Sequence, residues 1–194
     1  MSALPEEYKI TVNGQVEHAL NDEWVLWYHD FENSDWSLSG YEKILTIATV
    51  EDFWRVYNCL PTLVHGMWFL MRKGITPRWE DEINAEGGTF KFKVKHEEID
   101  VNWLTLSMYL VGEQMCRAQN DAELISGISV SPKKHGYATL SVWNLDATKI
   151  GTAIFPSNIP GIDFTVSRYE AHSNRRDFRK SGGGGGRRDY HKRG

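Results

Sequence analysis

The segment Thr89-Phe90-Lys91-Phe92-Lys93-Val94-Lys95 constrains the fold most, because it alternates apolar and polar residues without a break. Successive side chains of a strand point to opposite faces, so Phe90, Phe92 and Val94 share one face and the lysines the other. That is a half-buried antiparallel strand with a basic outer row. Residues 24–29, Trp-Val-Leu-Trp-Tyr-His, are instead aromatic and apolar on both parities, as a central strand would be. Residues 41–48 and 66–71 read as further strands. Residues 125–131 and 137–143 flank Pro132-Lys133-Lys134-His135-Gly136, a hairpin loop with cations at its tip.

Helices interrupt this pattern. Thr49 is a natural N-cap, Glu51 and Asp52 suit the first turn, and Phe53, Val56, Tyr57 and Leu60 fall at helical spacing before Pro61 ends the run. A second helix is expected from Asp100 through Trp103, Leu104, Met108, Tyr109, Leu110 and Val111 to Gly112. A third is predicted over 147–155 with Asp146 as its cap, and a last strand over 163–169. Strands outnumber helices and join through short turns, which predicts an α+β domain: one curved antiparallel sheet with helices on one face.

Residues 1–17 read as a flexible N-terminal segment, within which 8–12 offer a short edge strand before Asn13-Gly14. Residues 18–173 form the domain. Residues 174–194 contain the glycine run 182–186 between basic clusters and are expected to be disordered. The tail holds eight Lys/Arg against Asp177 and Asp189, a net +6 in a chain of −4 overall, which leaves the body at −10. An acidic body argues against broad coating of nucleic acid but allows a local anion site. No apolar run approaches the roughly 20 residues of a membrane span, no secretory signal is visible, and Cys59 and Cys116 have no metal-type spacing.

The chemistry gathers around Gly74-Ile75-Thr76-Pro77-Arg78-Trp79-Glu80-Asp81-Glu82. Pro77 pushes Thr76 toward extended geometry, so the stretch is a loop leaving an apolar strand. It sets an indole beside a carboxylate. The indole face attracts cations and stacks on bases, and the carboxylate accepts two parallel N–H donors such as guanine N1 and N2. The plainer alternative is an edge-of-core Trp followed by solvated acids. Trp36, in the polar loop 30–40, has no apolar neighbour in sequence to draw it into a core. Nothing has the pattern of a nucleophile elbow, a phosphate-cradling loop or a metal site, so no enzyme, cofactor or metal is expected.

His18-Ala19-Leu20, Trp24-Val25-Leu26-Trp27-Tyr28, Trp36, Val50-Glu51-Asp52-Phe53-Trp54, Trp79-Glu80-Asp81-Glu82, Gly87-Gly88, Trp103-Leu104 and Leu110-Val111-Gly112-Glu113 occur in one order over residues 18–172. In that order and spacing the chain resembles the messenger-RNA cap-binding translation initiation factor 4E family. The resemblance implies a cupped sheet with three helices on its convex face and a cytoplasmic, non-enzymatic, monomeric protein. It implies that a 7-methylguanine is sandwiched between Trp36 and Trp79, with Glu80 taking the N1 and N2 protons. Lys133 and Lys134 fall where the family meets the cap phosphates, while Thr139 stands where it has a further lysine. The basic row Lys91, Lys93 and Lys95 is another source of cations for that purpose. On the opposite face the resemblance implies a surface for a scaffold or repressor peptide of the form Tyr-x-x-x-x-Leu-apolar, made by His18, Leu20, Val50, Trp54, Leu104, Met108 and Gly112. Ala19 replaces the family's proline and Thr105 an acid, which bears on partner preference. Ser181 falls where the family carries a phosphorylatable serine. The implied function is recruitment of capped messenger RNA to translation initiation; translational repression, or a role as a non-cap RNA-binding or interaction module, is the alternative.

Overall fold

The structure, a computed structural model, describes residues 9–12 and 14–173. Eight strands make one curved antiparallel sheet: β1 (Lys9–Val12), β2 (Gln15–His29), β3 (Glu42–Thr49), β4 (Met67–Arg72), β5 (Gly88–Lys95), β6 (Ile125–Lys133), β7 (Tyr137–Asn144) and β8 (Arg168–Ala171). Their order is β1-β2-β4-β6-β7-β5-β8, with β3 also paired to β2. Helices α1 (Val50–Tyr57) and α3 (Ile99–Val111) pack on the convex face against β2, β3 and β6. The helices α2 (Glu82–Ala85) and α4 (Gln119–Ala122) are single turns.

The alternation in β5 has the predicted consequence. Phe90, Phe92 and Val94 are buried in the main core, with Trp103, Leu106 and Leu110 of α3, while on the other side Lys91 is partly buried and Lys93 and Lys95 are exposed. β4 is buried on both faces. Trp68 and Leu70 join the main core, whereas Met67, Phe69 and Met71 join a second apolar cluster with Ile75 and Trp143, flanked by Trp27, Tyr41 and Trp79. This second cluster floors a cleft on the concave side.

Three readings change. Residues 9–12 and 15–17 are in strands: Lys9–Val12 is the edge strand anticipated for this stretch, and β2 begins at Gln15. Glu17 is buried, accepting from Arg55 of α1 and from the Thr49 hydroxyl at 3.0 Å. The predicted third helix is absent. Asp146 accepts from the backbone N–H and hydroxyl of Thr148 as a cap would, but Gly151 weakens the run that follows and only a 3-10 turn forms at Thr152–Ile154. The last strand starts late, at Arg168, after a 3-10 turn over Phe164–Val166 that Asp163 caps by accepting from the Thr165 N–H at 2.9 Å. Residues 174–194, the basic tail with Ser181, lie outside the described residues. Among the described residues no helix is long and apolar enough to cross a membrane.

Candidate functional site

Two loops bring the predicted aromatic residues to one cleft. The loop carrying Trp36 is folded by its own short polar side chains: Asn33 accepts from Asp35 N–H at 2.9 Å and Asp35 accepts from Ser37 N–H at 2.8 Å and the Ser39 hydroxyl at 2.8 Å. Ser37 and Ser39 hold the Asp35 carboxyl below its ordinary range. Gly40 closes the loop; a Cβ there would sit 1.8 Å from the Asp35 carbonyl oxygen. The buried His29 donates from Nε2 to that same carbonyl at 3.0 Å, and its ring stacks on Trp36. Trp36 is thereby presented 47% exposed.

The second loop leaves β4 through Gly74, whose φ of +88° suits glycine. Ile75 drops into the second cluster and anchors the turn. Buried Asn84 of α2 donates to the carbonyls of Thr76 at 2.9 Å and Arg78 at 2.8 Å, and Arg78 pairs with Asp81 at 2.9 Å. Thr76 also donates to Asp81. Asp81 precedes α2, so the three-acid stretch is the start of a helical turn rather than open loop. Trp79 rests half-buried against the second cluster, and Glu80 is half-buried beside it.

Trp36, Trp79, Tyr41, Met67, Phe69, Lys91, Lys133 and Trp143 line a cleft of about 310 Å³, with the hydroxyl side chains Thr89, Ser129, Ser131, Thr139 and Ser141. Burial pushes the Tyr41 hydroxyl up to about 12, and the Glu80 charge adds to the shift, so that carboxylate lies within electrostatic reach of the cleft wall. Trp143 Nε1 donates to Ser129 Oγ at 2.9 Å and fixes the floor. Two indoles with ammonium and hydroxyl side chains thus line one cleft, and a carboxylate lies within electrostatic reach of its wall.

Lys133 lines the cleft and donates to Ser131 Oγ at 2.7 Å, but Lys134 sits at the hairpin tip, exposed and outside the lining. Lys91 takes a place in the cleft, paired with Glu170 of β8. The sequence held that lysine only as one of a row. His29 and Tyr41 were not legible as site residues, since each reads as part of a strand and the loop that covers it is remote from its own apolar pattern.

On the helix face, His18 and Leu20 belong to β2, tied at both sides. His18 bonds Glu51 of α1 through its ring Nδ1 at 2.6 Å and its backbone N–H at 2.9 Å, which hold the Glu51 carboxyl below its ordinary range. Asn21 donates to Glu113, next to Gly112 at the end of α3, at 3.1 Å. Val50, Trp54, Met108 and Gly112 are exposed and Leu104 is partly buried. Trp54 is 44% exposed and meets Phe53 only edge-on, with ring centroids 5.2 Å apart. The seven residues lie along β2, α1 and α3, on the side of the sheet away from the cleft.

Residues 19–177 match the model of the family described as eukaryotic initiation factor 4E. The chain is 31% identical over 175 residues to eukaryotic translation initiation factor 4E of Eremothecium gossypii, covering 84% of this chain and 81% of that protein. C. elegans eIF4E-3, solved with the 4E-binding protein Mextli and a cap analog, is similar with a TM-score of 0.72 and 29% identity, over 83% of this chain and 96% of that one. Ascaris suum eIF4E-3, solved with an m2,2,7G cap, gives a TM-score of 0.69 and 30% identity, over 80% of this chain and 92% of that one. On its sequence match and its fold together, this chain belongs to the eukaryotic initiation factor 4E family.

Proposed function

We propose that this protein binds the 7-methylguanosine cap of messenger RNA in the concave cleft and recruits the message to the cytoplasmic translation initiation machinery through a peptide docked on α1 and α3. The observation that carries the reading is the convergence of Trp36 and Trp79, from two unrelated loops, on one cleft, with Glu80 following Trp79 in the chain and within electrostatic reach of Tyr41 on the cleft wall. Methylation at N7 makes guanine cationic, so stacking between two indoles and hydrogen bonding to a carboxylate both strengthen. Each stack contributes roughly 1–3 kcal/mol, and donors to a charged acceptor about 1.5–3 kcal/mol. Glu80 accepts from N1 and N2, and Lys91 and Lys133 meet the phosphates. The relatives solved with a cap analog, with m7G and m2,2,7G caps and with Mextli support both halves of the reading.

Intrinsic tryptophan fluorescence, titrated with 7-methyl-GTP and with GTP, tests it. The methylated nucleotide should quench and bind well, GTP poorly, and Glu80→Ala should abolish the preference. Equal affinities in the wild-type protein would refute the assignment.

A further inference from the structure

The face that carries the cleft continues beyond it. Strand register sets Ser129, Ser141, Lys91 and Arg168 in one row across β6, β7, β5 and β8. Ser131, Thr139 and Lys93 form the next row, and Lys133, Tyr137 and Lys95 the one after. Paired residues share a face. That face is the concave one, because Ser129, Ser131, Thr139, Ser141, Lys91 and Lys133 all line the cleft. The lysines of β5 therefore run from inside the cleft outward to the hairpin, successive ones about 6.8 Å apart. The spacing is of the order of that between phosphates in an unstacked single strand.

The surroundings favour an anion along this line. The Lys93 ammonium lies 3.7 Å above the Tyr137 ring, which steadies it, and Lys95 is exposed. The register rows themselves hold ammonium, guanidinium, hydroxyl and phenol groups and no carboxylate. Glu170, one row back and opposite Thr89, pairs with Lys91, Glu98 accepts from the Lys95 backbone N–H at 3.2 Å, and Glu98 and Asp163 line a hollow with Lys93, so carboxylates flank the line without entering it. In a body whose charge is −10 outside the tail, such a concentration of cations on one sheet face is a local feature.

We infer that Lys93 and Lys95, with the hydroxyls beside them, form a track for the RNA chain that follows the cap, holding its first phosphates without reading bases. The inference rests on the cap reading, since the track starts where that reading seats the cap phosphates. RNA is favoured over an acidic protein by this continuity and by the even spacing of the cations along one strand.

The full chain, with its basic tail present throughout, is titrated by fluorescence with 7-methyl-GTP and with a capped ten-nucleotide RNA over a range of salt. The RNA should bind roughly 3- to 10-fold more tightly than the nucleotide at low salt, and the double variant K93Q/K95Q should lose that gain. Its logarithmic salt slope should fall by about 1.4, at roughly 0.7 per single-strand phosphate contact, while 7-methyl-GTP affinity stays within about twofold of wild type. A wild-type protein that binds both ligands equally, or a double variant that keeps the gain, overturns the track and leaves the cap reading standing. If 7-methyl-GTP shows no preference over GTP, the cap reading fails, and an uncapped ten-nucleotide RNA decides the track: wild-type and variant slopes that coincide overturn it, and slopes that differ uphold it as a cap-independent RNA site.

Discussion

His29 lies flat beneath Trp36, with ring centroids 4.3 Å apart and planes 12° from parallel. The indole offered to a ligand is thus one layer of a stack whose inner layer is buried and fastened to the same loop through the Asp35 carbonyl. An aromatic pair contributes about 0.5–1.5 kcal/mol beyond area burial. His29→Ala should therefore weaken 7-methyl-GTP binding by roughly 2- to 10-fold, and His29→Phe, which keeps a ring there, should restore most of it. Titration of the two variants side by side checks this. Equal loss in both would assign the effect to the Nε2 hydrogen bond rather than to the stack.

Lys91 and Lys134 differ in their relation to the cleft. Lys91 lines the cleft and Lys134 is at the hairpin tip. Losing one charge-assisted contact costs about 1.5 kcal/mol at the lower end, or roughly tenfold. Lys91→Gln should weaken 7-methyl-GTP by about that factor and 7-methylguanosine, which has no phosphate, far less. Lys134→Gln should change neither. Calorimetry on the four combinations distinguishes this arrangement from one in which the hairpin tip holds the phosphates.

Trp54 is a large indole left outside the main core. Truncating a central aromatic of an interface commonly costs about 2 kcal/mol or more. Trp54→Ala should lose an amphipathic helical peptide of the Tyr-x-x-x-x-Leu-apolar type by at least about 30-fold, while leaving cap affinity and Tm nearly intact. A variant that melts early and loses the cap as well would mean that the indole serves the fold.

Glu17 couples β2 to α1 and should leave a signature in acid. The Arg55 guanidinium, aided by the Thr49 hydroxyl and opposed by burial, holds its carboxyl below the ordinary range. A carboxyl depressed in the folded state stabilises the fold above its unfolded pKa, and that contribution is lost as the pH falls through the folded pKa. Glu17→Gln should therefore lower Tm at neutral pH and flatten the acid side of the stability profile. Thermal melts from pH 7 down to about pH 3 read this directly; parallel wild-type and variant profiles would show that the pair contributes nothing.

Local features of the chain determined more of this protein than its low symmetry would suggest. Alternation placed Phe90, Phe92 and Val94 inside and the lysines outside, Thr49 with Glu51 and Asp52 started α1 where expected, accepting from Asp52 N–H at 2.9 Å, and the hairpin of β6 and β7 formed around its turn residues. Each of these depends on interactions within a few residues, where periodicity and capping chemistry operate directly. The order of motifs likewise singled out Trp36 and Trp79, which line one cleft. What the tertiary structure alone decided was adjacency. Lys91 entered the cleft because β5 lies between β7 and β8, His29 became the support of Trp36 because the loop 30–40 folds back on its own strand, and Glu17 was buried because Arg55 and Thr49 met it from elements more than thirty residues away. Residues 147–155, where a helix was expected, went the other way: Asp146 accepts from Thr148 as a cap would, yet with Gly151 in the run only a 3-10 turn at Thr152–Ile154 follows. A sequence pattern states which face a side chain takes; strand order and loop closure determine what it meets there, because those contacts join segments whose separation no local periodicity encodes.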